Sequence, residues 1–101
     1  MKLIIVLGIK ESQDELNEVF RDVKVPIFSK VNIEGLKTQT LPIDMSNWFG
    51  NDENPDFSVM FFGFVAKKDA ETIMRDIEKL NSNKDRVRPF HAFQLPVEKF
   101  V

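Results

Sequence analysis

Three cationic residues stand close together near the end of the chain, at Lys84, Arg86 and Arg88. On an extended segment alternate residues project to the same side, so the three side chains are expected to lie together. Such a group is able to receive a phosphate or a carboxylate. An ordinary charged edge that discourages stray strand pairing is the alternative interpretation. The segment is therefore a candidate ligand site, with both interpretations open.

His91 is the only histidine, and the chain has no cysteine. A single histidine is a candidate metal ligand or proton switch, for instance where three copies meet at a symmetry axis. A histidine packed within a strand is the alternative. Four carboxylates are spaced unlike any calcium-binding loop and are expected to form a solvated turn. These carboxylates are Asp44, Asp52, Glu53 and Asp56.

Signs of catalysis are lacking in the sequence. No nucleophile and base can be placed together, no glycine-rich loop is available to hold phosphates, and no metal motif is present. We therefore predict a protein that is not an enzyme and needs no cofactor. A net charge of −2 gives no general attraction to nucleic acid or to an anionic membrane. The apolar run at 3–7 is too short to cross a membrane, and we expect a cytoplasmic protein without membrane insertion.

The elements that must position these residues follow from apolar patterning, and 101 residues allow one domain, 1–101. The run at 3–7 predicts a strand, and Ser12 with Glu15 predicts a capping box for a helix over 12–23. The alternation of Ile27, Val31 and Ile33 with polar residues predicts a half-buried strand over 27–34, its apolar side facing inward.

The second half of the chain repeats this order. Residues 57–66 predict a strand that is apolar on both faces, and Asp69 is expected to cap a helix that reaches residue 80. Residues 87–95 predict the last strand. The order βαββαβ predicts an α+β, ferredoxin-like fold, in which two helices cover one face of a four-stranded antiparallel sheet and the first and third strands are central.

The second face of this sheet needs a cover. Each large apolar side chain left in water on the third strand forfeits about 1.5–3 kcal/mol, and several together make a patch too large for a typical monomer. We therefore expect self-association as a dimer or a trimer. The alternative is that the long connection at 36–55 folds back over this face.

That connection is unusually long for a compact domain, and such segments tend to be functional. It carries Met45, Trp48 and Phe49, which are residue types that anchor protein interfaces. We interpret them as partner-binding residues. The alternative is that Trp48 and Phe49 fill the core of their own subunit or of a neighbouring one.

The sequence resembles the nitrogen-regulatory P-II-like superfamily in its opening residues 1–6, the connection after Gly35, the helix at 69–80 and the ending at 95–98. The resemblance implies a homotrimer with inward-facing sheets, ligand clefts between subunits, and a flexible loop that contacts a client, commonly a membrane transporter or an enzyme. The ligand site carries over onto Gly35, Lys84, Arg86 and Arg88. The expected function is a non-enzymatic regulator that binds a small ligand and a partner protein.

The chain departs from that family in two places. It has no tyrosine for nucleotidylation, and its turn at 81–88 has no glycine for close backbone approach to phosphates. Two other functions stay open. One is a metal-binding protein resembling the divalent-cation tolerance family, with His91 as its ligand. The other is a dimeric α+β barrel enzyme built on the same βαββ unit.

Overall fold

The computed structural model describes residues 1–36, 57–86 and 88–101, and within these ranges the elements follow the predicted order strand, helix, strand, strand, helix, strand. A short 3-10 turn, Lys10–Ser12, precedes the first helix. The elements are β1 Lys2–Gly8, α1 Gln13–Asp22, β2 Ser29–Asn32, β3 Val59–Val65, α2 Lys67–Asn81 and β4 His91–Pro96.

The four strands form one antiparallel sheet in the order β2-β3-β1-β4. The two central strands, β1 and β3, are the two that are apolar on both faces, as predicted. The pairing of Ile4 with Gly63 and with Gln94 fixes the register on both sides of β1. This is the ferredoxin-like arrangement, and the predicted fold class is confirmed.

The core lies between the sheet and the two helices. Ile4 and Val6 of β1 are fully buried on the helix-facing side, because alternate residues of a strand point to opposite faces. In the described part of the chain no polar or charged side chain is fully buried. The helix residues packed against the sheet are Leu16, Val19, Phe20, Ala70, Ile73 and Ile77.

Helix α1 begins one residue later than predicted and without the predicted cap. Among the described residues Ser12 makes no side-chain capping hydrogen bond, since the 3-10 turn leads directly into the helix. Glu15 contacts Arg86 instead of the helix start. The capping-box prediction is therefore wrong, and both of its residues belong to a tertiary site described below.

Helix α1 ends in a left-handed residue, Lys24, with φ of 64°. The amide of Val25 donates to the carbonyl of Phe20 at 3.1 Å, and that of Lys24 donates to Arg21 at 2.9 Å. This is the turn that usually places glycine after a helix. Lys24 adopts this left-handed conformation although it has a Cβ atom, and the backbone is therefore locally strained.

Helix α2 begins two residues before the predicted cap. Its N-cap position is Ala66, and Asp69 lies in the first turn rather than ahead of it. An acidic residue in the first turn still favours the helix electrostatically. The last strand also begins later than predicted, at His91 rather than Val87, because residues 82–86 form turns that continue the end of α2.

Strand β2 alternates as predicted but is turned the other way. Its register pairs Val31 with Met60 and Lys30 with Phe61, so the apolar residue points away from the helices and Lys30 points toward them. Lys30 reaches the rim of α1, where its Nζ donates to the Gln13 side chain at 3.1 Å. The predicted inward orientation is wrong because an edge strand has little of either helix above it.

The face of the sheet opposite the helices carries apolar residues from all four strands. We call it the open face, since in the described part of the chain neither helix packs on it. Phe64 is 56% exposed, and Val31 and Leu95 are each 41% exposed. The residues that share this face are Leu3, Ile5, Leu7, Val31, Met60, Phe62, Phe64, His91, Phe93 and Leu95. Within the described residues no helix has the length and apolar character needed to cross a membrane.

Candidate functional site

One end of the sheet gathers most of the connections of the fold. The strand register places Gly8, Asn32, Val59 and His91 at this end. The start of α1 and the end of α2 also lie here, since both lead directly from or into these strands. Ile33 and Ser58, which lie on either side of 37–56 in the sequence, are hydrogen-bonded to each other at the same end.

Ser58 holds three chain segments together there. Its amide donates to the carbonyl of Gly8 at 3.0 Å, and its carbonyl accepts from the amide of Ile33 at 3.0 Å. Its Oγ accepts from the amide of Lys10 at 2.7 Å. The segment that precedes α1 is thus tied to the residues that flank 37–56.

Asn81, the last residue of α2, binds the backbone of Phe90 in two directions. Its Nδ2 donates to the Phe90 carbonyl at 2.8 Å, and its Oδ1 accepts from the Phe90 amide at 2.8 Å. One side chain therefore satisfies both backbone groups just before β4. The two hydrogen bonds therefore join the residues on either side of the turn at 82–89.

Arg86 is the centre of the turn. Its Nε donates to the carbonyl of Leu80 at 3.0 Å, and its Nη2 pairs with the carboxylate of Glu15. The guanidinium lies 4.6 Å from the centroid of the Phe90 ring, within the range of a cation–π contact. The Arg86 side chain is only 10% exposed. It therefore braces α1, α2 and the turn against one another.

Gly8 leaves room for the Phe90 ring, which packs against the guanidinium of Arg86. A Cβ atom at Gly8 would stand 2.7 Å from Cδ1 of Phe90 and 2.9 Å from Cε1, closer than atoms in proteins approach. Phe90 is itself buried, at 2% exposure. Gly63 is less restricted, since its nearest contact would be 3.4 Å from a backbone oxygen.

An open cleft of about 270 Å³ lies beside this turn. Two cations, one carboxylate, two neutral polar groups and one apolar side chain form its wall. The lining residues are Ile9, Ser12, Asn83, Asp85, Arg86 and Arg88. This arrangement is able to hold a small polar molecule by hydrogen bonds and by paired charge.

The predicted cationic group is only partly assembled. Arg86 and Arg88 line the same cleft, but Lys84 is exposed and is not part of the wall. The predicted extended segment is wrong, because the amide of Arg86 donates to the carbonyl of Asn83 at 3.1 Å and makes a turn. Gly35 follows β2 at the same end of the sheet and does not line the cleft.

His91 begins β4 on the open face and is not part of the cleft. Its ring meets that of Phe57 edge-on, with the centroids 5.2 Å apart. Among the described residues no group of three potential ligands could hold a metal ion. The predicted partner-binding residues Met45, Trp48 and Phe49 lie outside the described residues. So do the four carboxylates at 44, 52, 53 and 56.

Several residues of the site were not expected from the sequence as site residues, among them Ser12, Glu15 and Asn81. Ser12 and Glu15 matched a helix cap, and Asn81 matched a turn. The contact of Glu15 with Arg86 joins residues 71 positions apart, so no local sequence pattern predicts it. The sequence does show that Asn81 follows the last apolar residue of a helical stripe. An asparagine at the end of a helix can have several structural roles, so its position alone does not predict a role in the site.

Comparison with known proteins shows the fold and not a family. No family model matches the chain, and no curated protein matches it. Among solved structures, a functionally unknown protein from Pediococcus pentosaceus aligns over 99% of this chain and 94% of its own, with a TM-score of 0.66 and 15% identity. A DUF3240 family protein from Shewanella baltica aligns over 99% and 92%, with a TM-score of 0.67 and 12% identity.

Proposed function

We propose that this protein is a non-enzymatic, P-II-like regulator that binds a small ligand in the cleft beside the turn at 82–89. The observation that carries the proposal is the position of the cleft, at the end of the sheet where Ile33 and Ser58, on either side of 37–56 in the sequence, are hydrogen-bonded to each other. A ligand held there lies near Lys10, whose amide donates to Ser58 Oγ, and Ser58 follows the segment that carries Met45, Trp48 and Phe49 in the sequence. Those residues bind the client, a membrane transporter or an enzyme.

The ligand carries a carboxylate or a phosphate group. Arg88 is the residue that receives it, because a guanidinium binds such planar or tetrahedral anions in a fixed geometry. The guanidinium of Arg86 contacts Glu15, Leu80 and Phe90. Its role is to keep the turn, and with it Arg88, in place.

Ser58 supplies a route between the cleft and the long segment. Ile9 and Ser12 of the cleft wall flank Lys10, whose amide donates to Ser58 Oγ. A ligand that shifts this stretch therefore shifts the residues that follow 37–56. Ligand binding and client binding are coupled in this proposal through that hydrogen bond.

The assembly is a homotrimer in the cytoplasm, formed through the open face. Phe64, Val31 and Leu95 are exposed on that face, and burying large apolar side chains contributes about 1.5–3 kcal/mol each. Several such residues per subunit supply enough free energy for a stable oligomer.

A ligand screen tests this function. The purified full-length protein is heated with inorganic phosphate, ADP, ATP, 2-oxoglutarate and free amino acids in turn. A ligand at 100 times its Kd stabilises the protein by about 2.7 kcal/mol, which raises the Tm of a domain of this size by about 10 °C or more. We expect one compound with an anionic group to produce such a rise.

Two matched variants locate the site. Arg88→Ala should abolish the rise, because it removes the anion-binding group of the cleft. Lys84→Ala removes a neighbouring positive charge outside the cleft and should leave the rise unchanged. An equal loss in both variants would indicate a general charge effect, and no loss in Arg88→Ala would show that the ligand binds elsewhere. Either result contradicts the proposal.

A further inference from the structure

Strand β4 is an outer strand of the sheet, and within the described ranges no further strand lies beside its outer edge. An edge strand presents a row of unpaired backbone groups, which proteins protect with lysine, proline, a bulge or a short length. The other edge strand, β2, has four residues and carries Lys30. Strand β4 has six residues and pairs with β1 without a bulge, and 91–95 contain no lysine, carboxylate or proline. It is therefore the less protected edge.

The hydrogen bonds of β4 show which of its backbone groups point outward. The amide of Val97 donates to the carbonyl of Met1 at 3.2 Å, in the same register as the rest of the strand pair. Odd-numbered residues of this strand therefore face β1, since the bonding direction alternates along an antiparallel strand. Pro96, which has no N–H, falls at an even-numbered position as this phase requires. Ala92 and Gln94 thus direct their N–H and C=O groups away from the sheet.

The outward row is closed at both ends. At one end the N–H and C=O of Phe90 are both bound by the side chain of Asn81. At the other end Pro96 has a carbonyl but no donor. Between these limits lie Ala92 and Gln94, each with one outward donor and one outward acceptor. What fits this edge is therefore a short extended strand with the same spacing of donors and acceptors.

We propose that a second copy of the chain binds this edge through its own β4, antiparallel, with Ala92 of each copy opposite Gln94 of the other. Each of the four outward N–H groups then donates to a C=O across the contact. Residues opposite one another in an antiparallel pair have their side chains on the same face of the sheet. The two sheets therefore join into one of eight strands, with all the helices on one side.

The closed ends select this register over its neighbours. A pairing of Ala92 with Ala92 would set Gln94 against Phe90, whose backbone groups are already bound by Asn81. A pairing of Gln94 with Gln94 would set Ala92 against Pro96, which offers no N–H. Only the pairing of Ala92 with Gln94 gives a partner to every outward donor and acceptor of both residues.

This contact differs from the one in the proposed function. It uses the edge of the sheet, whereas the proposed trimer uses the open face and the proposed ligand uses the cleft. A contact made by four backbone hydrogen bonds and few side chains belongs to the small, weak class of interfaces. We therefore expect it at hundreds of micromolar protein, above the micromolar range in which assembly through the open face is measured.

A single cysteine reports the register, because the chain has no cysteine of its own. In the proposed pairing position 93 faces itself in a non-hydrogen-bonded pair, with the Cα atoms about 4.5 Å apart, a separation that a disulfide can span. Position 95 is on the same face but stands about 13 Å from its own copy. Phe93→Cys and Leu95→Cys are each made in a Phe64→Glu background, which blocks the open face, and are oxidised at hundreds of micromolar. Phe93→Cys should form a disulfide-linked dimer at least about tenfold faster than Leu95→Cys.

Proline at position 94 tests the hydrogen bonds themselves. Proline is tolerated on an edge strand where the missing N–H would have pointed outward, so Gln94→Pro should melt like its matched control, Gln94→Ala. It removes one donor from each copy, and we expect at least about a tenfold loss of cross-linking through Cys at 93 relative to the control. Sedimentation of the two variants without the cysteine, in the same Phe64→Glu background and at the same concentration, gives an independent measurement. Only the control should dimerise.

The outcomes against the proposal are specific. Equal cross-linking at positions 93 and 95, no cross-linking at 93, or a Gln94→Pro protein that dimerises like Gln94→Ala would each overturn it. A Gln94→Pro protein that fails to fold while Gln94→Ala folds would show that this N–H binds β1, which also overturns it. None of these results bears on the cleft or the open face, so the proposed function is tested separately.

Discussion

Asn81 occupies a position at which a single side chain decides how two elements meet. The helix α2 ends there, and β4 begins ten residues later. The amide group spans the gap with one donated and one accepted hydrogen bond to Phe90, each of 2.8 Å. Phe90 in turn supports the guanidinium of Arg86. The shape of the cleft therefore depends on a residue that does not line it.

Replacing Asn81 tests this dependence. Asn81→Ala leaves two backbone groups of Phe90 without partners, and we expect the free energy of unfolding to fall by about 1–3 kcal/mol. Asn81→Asp keeps only the acceptor for the Phe90 amide, so its free energy of unfolding should fall by a similar amount. Urea denaturation measures both.

Asn83→Ala is the matched control for these variants. It removes an exposed hydrogen bond to the amide of Asp85, which is expected to contribute less than about 1 kcal/mol. Equal losses at positions 81 and 83 would contradict the role assigned to Asn81.

At the residue scale the sequence predicts types of chemistry better than it predicts partners. Arg86 and Arg88 line one cleft, although the segment that carries them is a turn and not the extended segment that was predicted. The partner of Arg86 was not predictable. Glu15 fits a capping box as well as it fits an ion pair, and a choice between the two depends on how α1 and α2 are arranged.

The end of α1 offers a prediction at the scale of an element. Lys24 has a positive φ, a conformation that costs a residue with a side chain roughly 1–2 kcal/mol and costs glycine little. Lys24→Gly should therefore raise the free energy of unfolding, by up to about 1 kcal/mol after the greater freedom of glycine in the unfolded chain is included.

A glycine in a regular helix should act in the opposite direction. Lys79 lies in the last turn of α2 with helical neighbours on both sides, and Lys79→Gly is expected to cost about 1 kcal/mol. The Tm of Lys24→Gly should thus lie above that of the wild type, and the Tm of Lys79→Gly should lie below it. A Lys24→Gly protein that melts below the wild type would show that the left-handed turn carries no strain.

Element order is predictable here because each helix has one apolar stripe and each central strand is apolar on both faces. The orientation of β2 was not predictable in the same way. Val31 and Lys30 do lie on opposite faces of the strand, as the alternation predicts, but alternation does not indicate which face the helices cover. An edge strand extends beyond the helices, so Lys30 reaches back to Gln13 and Val31 lies on the open face.

At the scale of the whole molecule the open face leads to a prediction about assembly. Phe64 is exposed in the single chain and pairs across the sheet with Leu3. Phe64→Glu places a charge on the proposed interface, where burial without a partner is costly. Sedimentation at micromolar concentration should show the wild type as an oligomer and the variant as a monomer with an unchanged fold.

Phe100→Glu is the control for that experiment. Phe100 is 75% exposed and follows the last strand rather than lying on the sheet, so the same change of charge should leave the mass unaltered. A wild-type protein that sediments as a monomer, or a Phe64→Glu protein that remains an oligomer, would contradict assembly through the open face.

The hydrogen bonds that join β2 to β3 have an evolutionary consequence. The pairing of Asn32 with Val59, and the bond from Ile33 to Ser58, are made entirely by residues outside 37–56. Neighbouring strands stand about 4.8 Å apart, a gap that a two-residue hairpin can close. The described part of the ladder therefore requires only a short connection between the two strands. Changes in the intervening sequence therefore leave the residues that make these described pairs in place.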